Sequence, residues 1–369
     1  GPATPPDGGT DGGIIGNALF VQMFDPLTGD KRGAAANLAT LGSGPNLTLY
    51  DSSIAPTGEI ALLYGVGQPP GGGFDSQLYA LFLTVAQGDG GAATLKIGRS
   101  VQLEAVGTGD AHVIWAAHDG AFAFQWKYVG NGGNWFTKVQ RYQPNGITSG
   151  GGIGTVPTNT GSNYAPSQQD DCYLGTSGSY LGVAFQPDGT TTGIGQNTGA
   201  MVILDDQGFQ VGSSFIPLSG GAPIDNWVAV GGTTQGFVGM FLVGGGVGGA
   251  FVPLMGAGDV IVDGGLGMIG GDGGLPALKT YSFPSTASTG KMVSDDAGGA
   301  GGVGMALLES DGATFFYVTA DGSKLYNEGT VVSDGSAGEV NVSNYHGSFA
   351  VSVFDTAAHA GKAIVSNCQ

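Results

Sequence analysis

Short apolar runs separated by turn residues make up most of the chain. Residues 111–146 show the unit most clearly, with apolar runs at 112–117, 121–129 and 135–142. Each run has the length of a strand, is rich in aromatic and β-branched residues, and is bounded by Gly, Asn, Asp or Pro. No segment keeps a 3.6-residue period, so the pattern predicts antiparallel strands and almost no helix.

The unit recurs along the whole chain. Its strongly apolar second run begins near positions 60, 122, 180, 237, 302 and 349. A repeat of about 60 residues with three or four strands is typical of a propeller blade. The spacing therefore predicts a six-bladed, all-antiparallel β-propeller over residues 14–369. Residues 259–284 hold three further apolar runs, which either complete the fourth blade or form a seventh.

The two ends of the chain lead to separate predictions. The strand at 17–24 is surplus to the first unit, so we expect it to pair with the C-terminal strand and close the ring. We interpret residues 1–13 as the scar of a cleaved tag and a flexible Pro/Gly/Asp-rich tether. A disulfide between Cys172 and Cys368 would fasten the C-terminus and indicates an oxidising compartment. Two unrelated thiols are the alternative.

The charge and hydropathy of the chain limit the kinds of partner that it can bind. The net charge is −18, with only 11 Lys and Arg residues. Nucleic acid is therefore excluded as a partner, because phosphate binding needs clustered cations. No apolar run reaches the roughly 18 residues of a membrane-spanning helix, so we expect no membrane insertion. Charged residues make up only 11% of the chain, and the neutral polar surface that this implies is common in secreted proteins.

In unit length and blade pattern the chain resembles the β-propeller repeat proteins exported by bacteria, notably the Gly-rich lipoproteins of myxobacteria and their relatives. The resemblance covers most of residues 17–366, although the WD, kelch and Asp-box signatures are missing. It implies a secreted or surface-attached domain that binds or scaffolds other molecules, with a lipid anchor as one means of attachment. It carries over no catalytic residues.

Four side chains are candidate recognition residues. Trp135 stands in a Gly-rich stretch, where it could stack on a sugar ring, and Tyr128 belongs to the same aromatic-rich unit. His118 and His346 occupy equivalent turns before second strands, and such turns gather at the mouth of a propeller channel. The alternative for the histidines is an ordinary turn position, and for the aromatic residues it is a place in the core.

Catalysis and metal binding are weaker hypotheses. A polysaccharide hydrolase or lyase needs converging carboxylates, and Asp171, Asp225 and Asp295 lie beside first strands that would line the channel. The serine-nucleophile motif is missing, as is a cysteine beside a suitable histidine. The acidic pairs at 170–171, 205–206 and 295–296 could bind Ca²⁺, although no EF-hand loop accompanies them. We expect no other cofactor.

The sequence as a whole favours a non-catalytic binding or scaffold module, secreted or attached to the outer surface. We expect a monomer that recognises a protein or glycan through the loops of one propeller face. The alternatives are a polysaccharide-acting enzyme at the central channel and a structural adhesion component.

Overall fold

The structure is a computed structural model of the chain. It describes residues 15–16, 18–24, 31–40, 46–67, 75–87, 93–105, 108–129, 135–156, 173–185, 199–205, 207–208, 216–219, 224, 228–244, 246–254, 279–283, 287, 289–295, 301–332, 337–345, 348–357 and 360–367. Apart from one turn of 3-10 helix at Ala117–Asp119, these residues form strands and turns. None of the described helical structure is long and apolar enough to cross a membrane.

Three strands precede the first blade. They are β1 (Ile15–Gly16), β2 (Ala18–Phe24) and β3 (Lys31–Thr40). Six blades follow, and in each the chain forms an antiparallel meander from an inner strand outwards. Gly- and Asp-containing turns connect the strands because the chain must reverse sharply there.

The blades follow one another in chain order. The first comprises β4 (Asn46–Ile54), β5 (Glu59–Gly67), β6 (Asp75–Gln87) and β7 (Ala93–Glu104). The second comprises β8 (Thr108–Ala116), β9 (Ala121–Val129), β10 (Trp135–Tyr142) and β11 (Thr148–Val156). The third comprises β12 (Tyr173–Ser177), β13 (Tyr180–Phe185), β14 (Ala200–Leu204) and β15 (Ile216–Pro217).

The remaining blades have the same arrangement. The fourth comprises β16 (Val228–Thr233), β17 (Gly236–Val243), β18 (Gly246–Pro253) and β19 (Lys279–Phe283). The fifth comprises β20 (Thr289–Ser294), β21 (Val303–Glu309), β22 (Gly312–Val318) and β23 (Leu325–Val332). The sixth comprises β24 (Ala337–Tyr345), β25 (Ser348–Asp355) and β26 (Ala360–Asn367).

The predicted six-bladed propeller is confirmed. The open question of a seventh blade is answered by β19, which pairs with β18 as the outer strand of the fourth blade. Residues 259–278, which precede β19, lie outside the described part. One bridge between Asp75 and Thr108 also joins the sheets of the first two blades.

The hydrophobic core lies between the blades, because each blade buries its faces against its neighbours. Alternate residues of β9 illustrate this: Phe122, Phe124 and Trp126 are fully buried against the first blade. The Phe82 ring meets Phe124 edge-on, with the ring centroids 5.8 Å apart. These three residues of β9 therefore pack between the first and second blades.

Glycine allows the inner strands of the third and fourth blades to approach very closely. A Cβ atom on Gly232 would lie only 1.4 Å from the Thr176 carbonyl oxygen. Nearby, Ser177 Oγ donates a hydrogen bond of 2.5 Å to the Thr233 carbonyl. Contact of this kind brings the backbones of β12 and β16 together at the centre of the ring.

The N-terminal strands form a hairpin in the described part of the chain. β2 pairs with β3, and β26 pairs with β25. Leu19 of this N-terminal hairpin packs with Leu62 and Leu81 of the first blade. Pairing between the terminal strands is not among the ladders of the described residues, so closure of the ring by the two ends stays a prediction. Cys172, Cys368 and residues 1–13 lie outside the described part, and the predictions for them stay open.

Candidate functional site

A cavity of about 320 Å³ lies at the centre of the propeller. Its wall is built from the inner strand of every blade: residues 51–54, 112–115, 173–175, 229–231, 291–294 and 341–344. Pro56 in the first turn and Ile60 beyond it also line the cavity. The cavity therefore occupies the half of the central channel nearest the turns that connect first and second strands.

Asp51 and His112 form a pair across the first two blades. His112 Nδ1 lies 3.4 Å from Asp51 Oδ2, and the Val113 backbone N–H donates to the same oxygen at 3.0 Å. Burial by itself would raise the pKa of Asp51, but the His112 hydrogen bond, the Lys291 charge and the Val113 amide together hold that pKa below its ordinary value. Asp51 is therefore an ionised group in the channel wall.

Tyr173 and Lys291 extend this cluster across the channel. The ring of Tyr173 stacks on His112, with 4.4 Å between centroids and 26° between planes. The Lys291 ammonium lies 5.5 Å from the centroid of the Tyr173 ring. Lys291 belongs to the fifth blade and Tyr173 to the third. The ammonium therefore reaches into the channel past the fourth blade, whose wall segment 229–231 carries no long side chain. We call Asp51, His112, Tyr173 and Lys291 the channel cluster.

The rest of the wall combines an aromatic surface with neutral polar groups. Trp115 lines the cavity and meets Phe122 edge-on, with 5.0 Å between ring centroids. Asn341 and Asn344 of the sixth blade lie on another side of the cavity. Such a wall can offer one apolar ring face and several hydrogen bonds to the same ligand.

Asp295 is a buried neighbour of the cavity and not part of its lining. It is 1% exposed and accepts hydrogen bonds from Tyr317 Oη at 3.2 Å and Asn344 Nδ2 at 2.8 Å. Its carboxylate thereby positions Asn344, which does line the cavity. Asp171 and Asp225, which the sequence grouped with Asp295, lie outside the described residues.

Two of the predicted recognition residues, His118 and Tyr128, lie at opposite ends of the second blade and do not meet. His118 lies in the 3-10 turn at the cavity end of the second blade, is 59% exposed, and contacts Asp119 at 2.9 Å. Tyr128 lies at the opposite end of β9, where Lys138 covers its ring at 3.9 Å. The same ammonium contacts Glu104 at 2.6 Å. Neither predicted residue lines the cavity.

The other two predicted recognition residues, Trp135 and His346, lie partly or wholly outside the described residues. Trp135 begins β10 opposite Val129, but its side chain is outside the described part. His346 is outside it as well, and so are Asp170, Asp171, Asp206 and Asp296 of the acidic pairs. Within the described residues, no group of three or more His, Cys, Asp or Glu side chains could hold a metal ion. Recognition by Trp135, Tyr128, His118 and His346 stays a prediction.

The channel cluster was missed by motif reasoning, although the sequence carries a signal for it. Asp51, His112 and Tyr173 are separated by 61 residues each, which is the blade repeat. They occupy matching positions in the inner strands of three successive blades, opposite Leu63, Gln125 and Ala184 of the second strands. A search for polar residues at the repeat spacing would have found these three.

Solved structures with a propeller fold resemble the chain. The polysaccharide lyase Uly1 matches with 12% identity and a TM-score of 0.50, over 92% of this chain and 82% of that one. The β-propeller domain of Cps50 (Swd1) from Myceliophteria thermophila matches with 12% identity and a TM-score of 0.49, over 97% and 92%. At such identities the likeness concerns the fold alone. Neither a family model nor a curated protein sequence matches the chain.

Proposed function

We propose that this protein is a glycan-binding propeller that works outside the cell, as a secreted or surface-attached domain, and holds a sugar residue in its central cavity. The observation that carries this proposal is the combination of Trp115 with hydrogen-bonding side chains around one cavity. A sugar ring has apolar faces that stack on aromatic rings and an edge of hydroxyl groups that need donors and acceptors. The turns around His118 and His346 would meet the rest of the glycan.

The size of the cavity also supports a small polar ligand. Ligand pockets commonly measure about 300–1,000 Å³, and this cavity of about 320 Å³ is at the lower end of that range. It could therefore hold one or two sugar rings, whereas a folded protein partner would have to bind the outer face. An extracellular location is supported by the low charged fraction of 11%. The resemblance to exported bacterial propellers supports the same location.

An enzyme acting on polysaccharide is the second candidate. The specific observation in its favour is the Asp51–His112 pair, because a histidine oriented by a carboxylate is a common arrangement for proton transfer. A pair of this kind in a cavity is a stronger indication than the scattered acidic residues of the sequence.

The glycan proposal is tested by titrating the whole protein with soluble oligosaccharides, neutral and acidic, in a calorimeter. We expect saturable binding to at least one of them. Trp115→Ala should weaken it about two- to tenfold through the lost stacking, since aromatic stacking is worth about 0.5–1.5 kcal/mol beyond buried area. Because Trp115 also contacts Phe122, a second variant, Asn341→Ala, removes a cavity side chain that is exposed.

Asn327→Ala provides the matched control. Asn327 lies on the outer strand β23 and, like Asn341, accepts a hydrogen bond from a nearby backbone N–H. This variant should bind as the parent does. Failure of every oligosaccharide to bind, or equal binding by the parent and both cavity variants, would overturn the proposal. Protein partners that bind only the outer face would then take precedence.

A further inference from the structure

The channel cluster contains the groups that one particular reaction requires. β-Elimination from a uronic acid polymer needs a base for the proton α to the carboxylate and a cation beside that carboxylate. It also needs an acid for the departing glycosidic oxygen. This inference rests on the proposed glycan-binding function and concerns the chemistry of the bound sugar.

His112 has the environment of a base. Asp51 faces Nδ1, and an ionised carboxylate there favours the tautomer with hydrogen on Nδ1, so that Nε2 can accept a proton. The stacked ring of Tyr173 holds the imidazole in a fixed plane. The negative charge of Asp51 also stabilises the imidazolium that forms. Asp51 is therefore a positioning residue, and His112 is the group that reacts.

Lys291 and Tyr173 provide the other two requirements. The Lys291 ammonium stands inside the channel, 5.5 Å from the Tyr173 ring centroid. Because the chain has a net charge of −18 and only 11 Lys and Arg residues, a cation at this point is an uncommon feature of the molecule. It can neutralise a substrate carboxylate, which makes the neighbouring C–H more acidic. The Tyr173 hydroxyl is an acid of the kind that can protonate a leaving oxygen.

We propose that the cavity cleaves a uronate-containing polysaccharide by β-elimination. His112 Nε2 removes the proton from the carbon α to the carboxylate, and the electron pair of that bond forms a carbon–carbon double bond. The bond from the β carbon to the glycosidic oxygen breaks, and the oxygen keeps its electron pair and takes the proton of Tyr173. Proton transfer from His112 through solvent restores both side chains. Neither water nor an oxidant is consumed.

Hydrolysis of a glycoside fits the cavity less well. That reaction canonically uses two carboxyl groups, one on each side of the scissile bond. Among the described residues that line the cavity, Asp51 is the one acidic side chain. The nearby Asp295 is buried and accepts hydrogen bonds from Tyr317 and Asn344. One carboxylate, an imidazole and an ammonium suit proton abstraction better than displacement at the sugar carbon.

The test incubates the whole protein with polygalacturonate, alginate and a glucuronate-containing polymer, and records the ultraviolet absorbance of the new double bond conjugated to the carboxylate. We expect product from at least one of them. His112→Gln should lower kcat/KM by about 10²–10⁴-fold, the usual contribution of a general base. Lys291→Met should raise KM and lower kcat, and Lys291→Arg should recover part of the activity.

Matched controls separate the chemistry from the fold. Lys279→Met changes a lysine that lies over the Phe251 ring away from the channel, and Asn327→Ala changes an amide of the outer strand β23; both should leave the rate unchanged. Asp51→Asn should alter both the shape and the height of the pH profile of kcat/KM. The substitution removes the carboxylate charge beside His112, whereas Lys291 and Tyr173, the other groups that face the imidazole in the channel cluster, are unchanged. A purely structural Asp51 would lower the amount of folded enzyme and leave the profile in place.

The outcomes distinguish this inference from the proposed function. Binding of glycans in calorimetry without any elimination product would overturn the inference and leave the binding function intact. Product formation that survives His112→Gln would also overturn it, because another group would then be the base. Failure of all glycans to bind would overturn both.

Discussion

Asp51 shows how a single residue acquires a role from its surroundings. The residue lies in β4 among Leu, Tyr and Ser residues and belongs to no motif. Its importance comes from His112 of the next blade and from the Val113 backbone N–H, both of which approach Oδ2. Polar residues on the inner strands are tolerated because they face a cavity, whereas the faces between blades are filled by apolar side chains.

A pH-dependent contribution to stability follows from this contact. The pKa of Asp51 is lowered in the folded protein, so its contribution is present above the unfolded value of about 3.9 and is lost as the pH falls through the folded value. Asp51→Asn should therefore lower the free energy of unfolding at pH 7 by roughly 1.5–3 kcal/mol, the range for hydrogen bonds to a charged group. Urea titrations at neutral and acid pH would check this. The difference between parent and variant should vanish in acid; a difference that persists there would contradict the charge argument.

At the scale of elements, the strongly apolar strands were predicted well, and strands with few large apolar residues were missed. The second strand Ala121–Val129 and the third strand Trp135–Tyr142 were predicted at the observed bounds. The strands Lys31–Thr40 and Thr148–Val156 were not predicted. These two are rich in Gly, Ala, Ser or Asn, and their extended form depends on pairing with β2 and β10.

The contact between β12 and β16 depends on the lack of a side chain at Gly232. We expect Gly232→Ala to destabilise the protein by about 1–3 kcal/mol or more, as overpacking does, because the new Cβ would lie 1.4 Å from the Thr176 carbonyl oxygen. Thermal unfolding measures the effect. Gly361→Ala is the control, since a Cβ there has no atom within 4 Å. Equal midpoints for the two variants would show that the inner strands can separate at little cost.

On the scale of the whole molecule, the six blades are not equally covered. The second strands of the third, fourth and fifth blades are buried along nearly their whole length. In β25 of the sixth blade, buried residues alternate with partly exposed ones. One face of this blade packs against the fifth blade through Phe349, Val351 and Val353. The other face of the sixth blade is less buried. This is the side on which the ring closes between its last blade and its first.

We therefore expect the sixth blade to open first. Hydrogen exchange followed by mass spectrometry should show faster exchange for β24–β26 than for β9, because few apolar contacts hold the outer face of the sixth blade. The measurement should be repeated under reducing conditions, since a bond between Cys172 and Cys368 would slow exchange at the C-terminus. Uniform protection over all six blades would contradict this picture and indicate a firmly closed ring.

The amino-acid sequence by itself determined the class of fold and the number of repeats. Apolar runs of strand length and turn residues at a spacing near 60 leave few alternatives to propeller blades, because both signals are local along the chain. The tertiary structure alone decided that β2 pairs with β3 and that β19 belongs to the fourth blade. It also brought Asp51, His112, Tyr173 and Lys291 to one cavity from four blades. Such contacts join residues far apart in the chain, and their distances depend on how the ring packs, which no local pattern encodes.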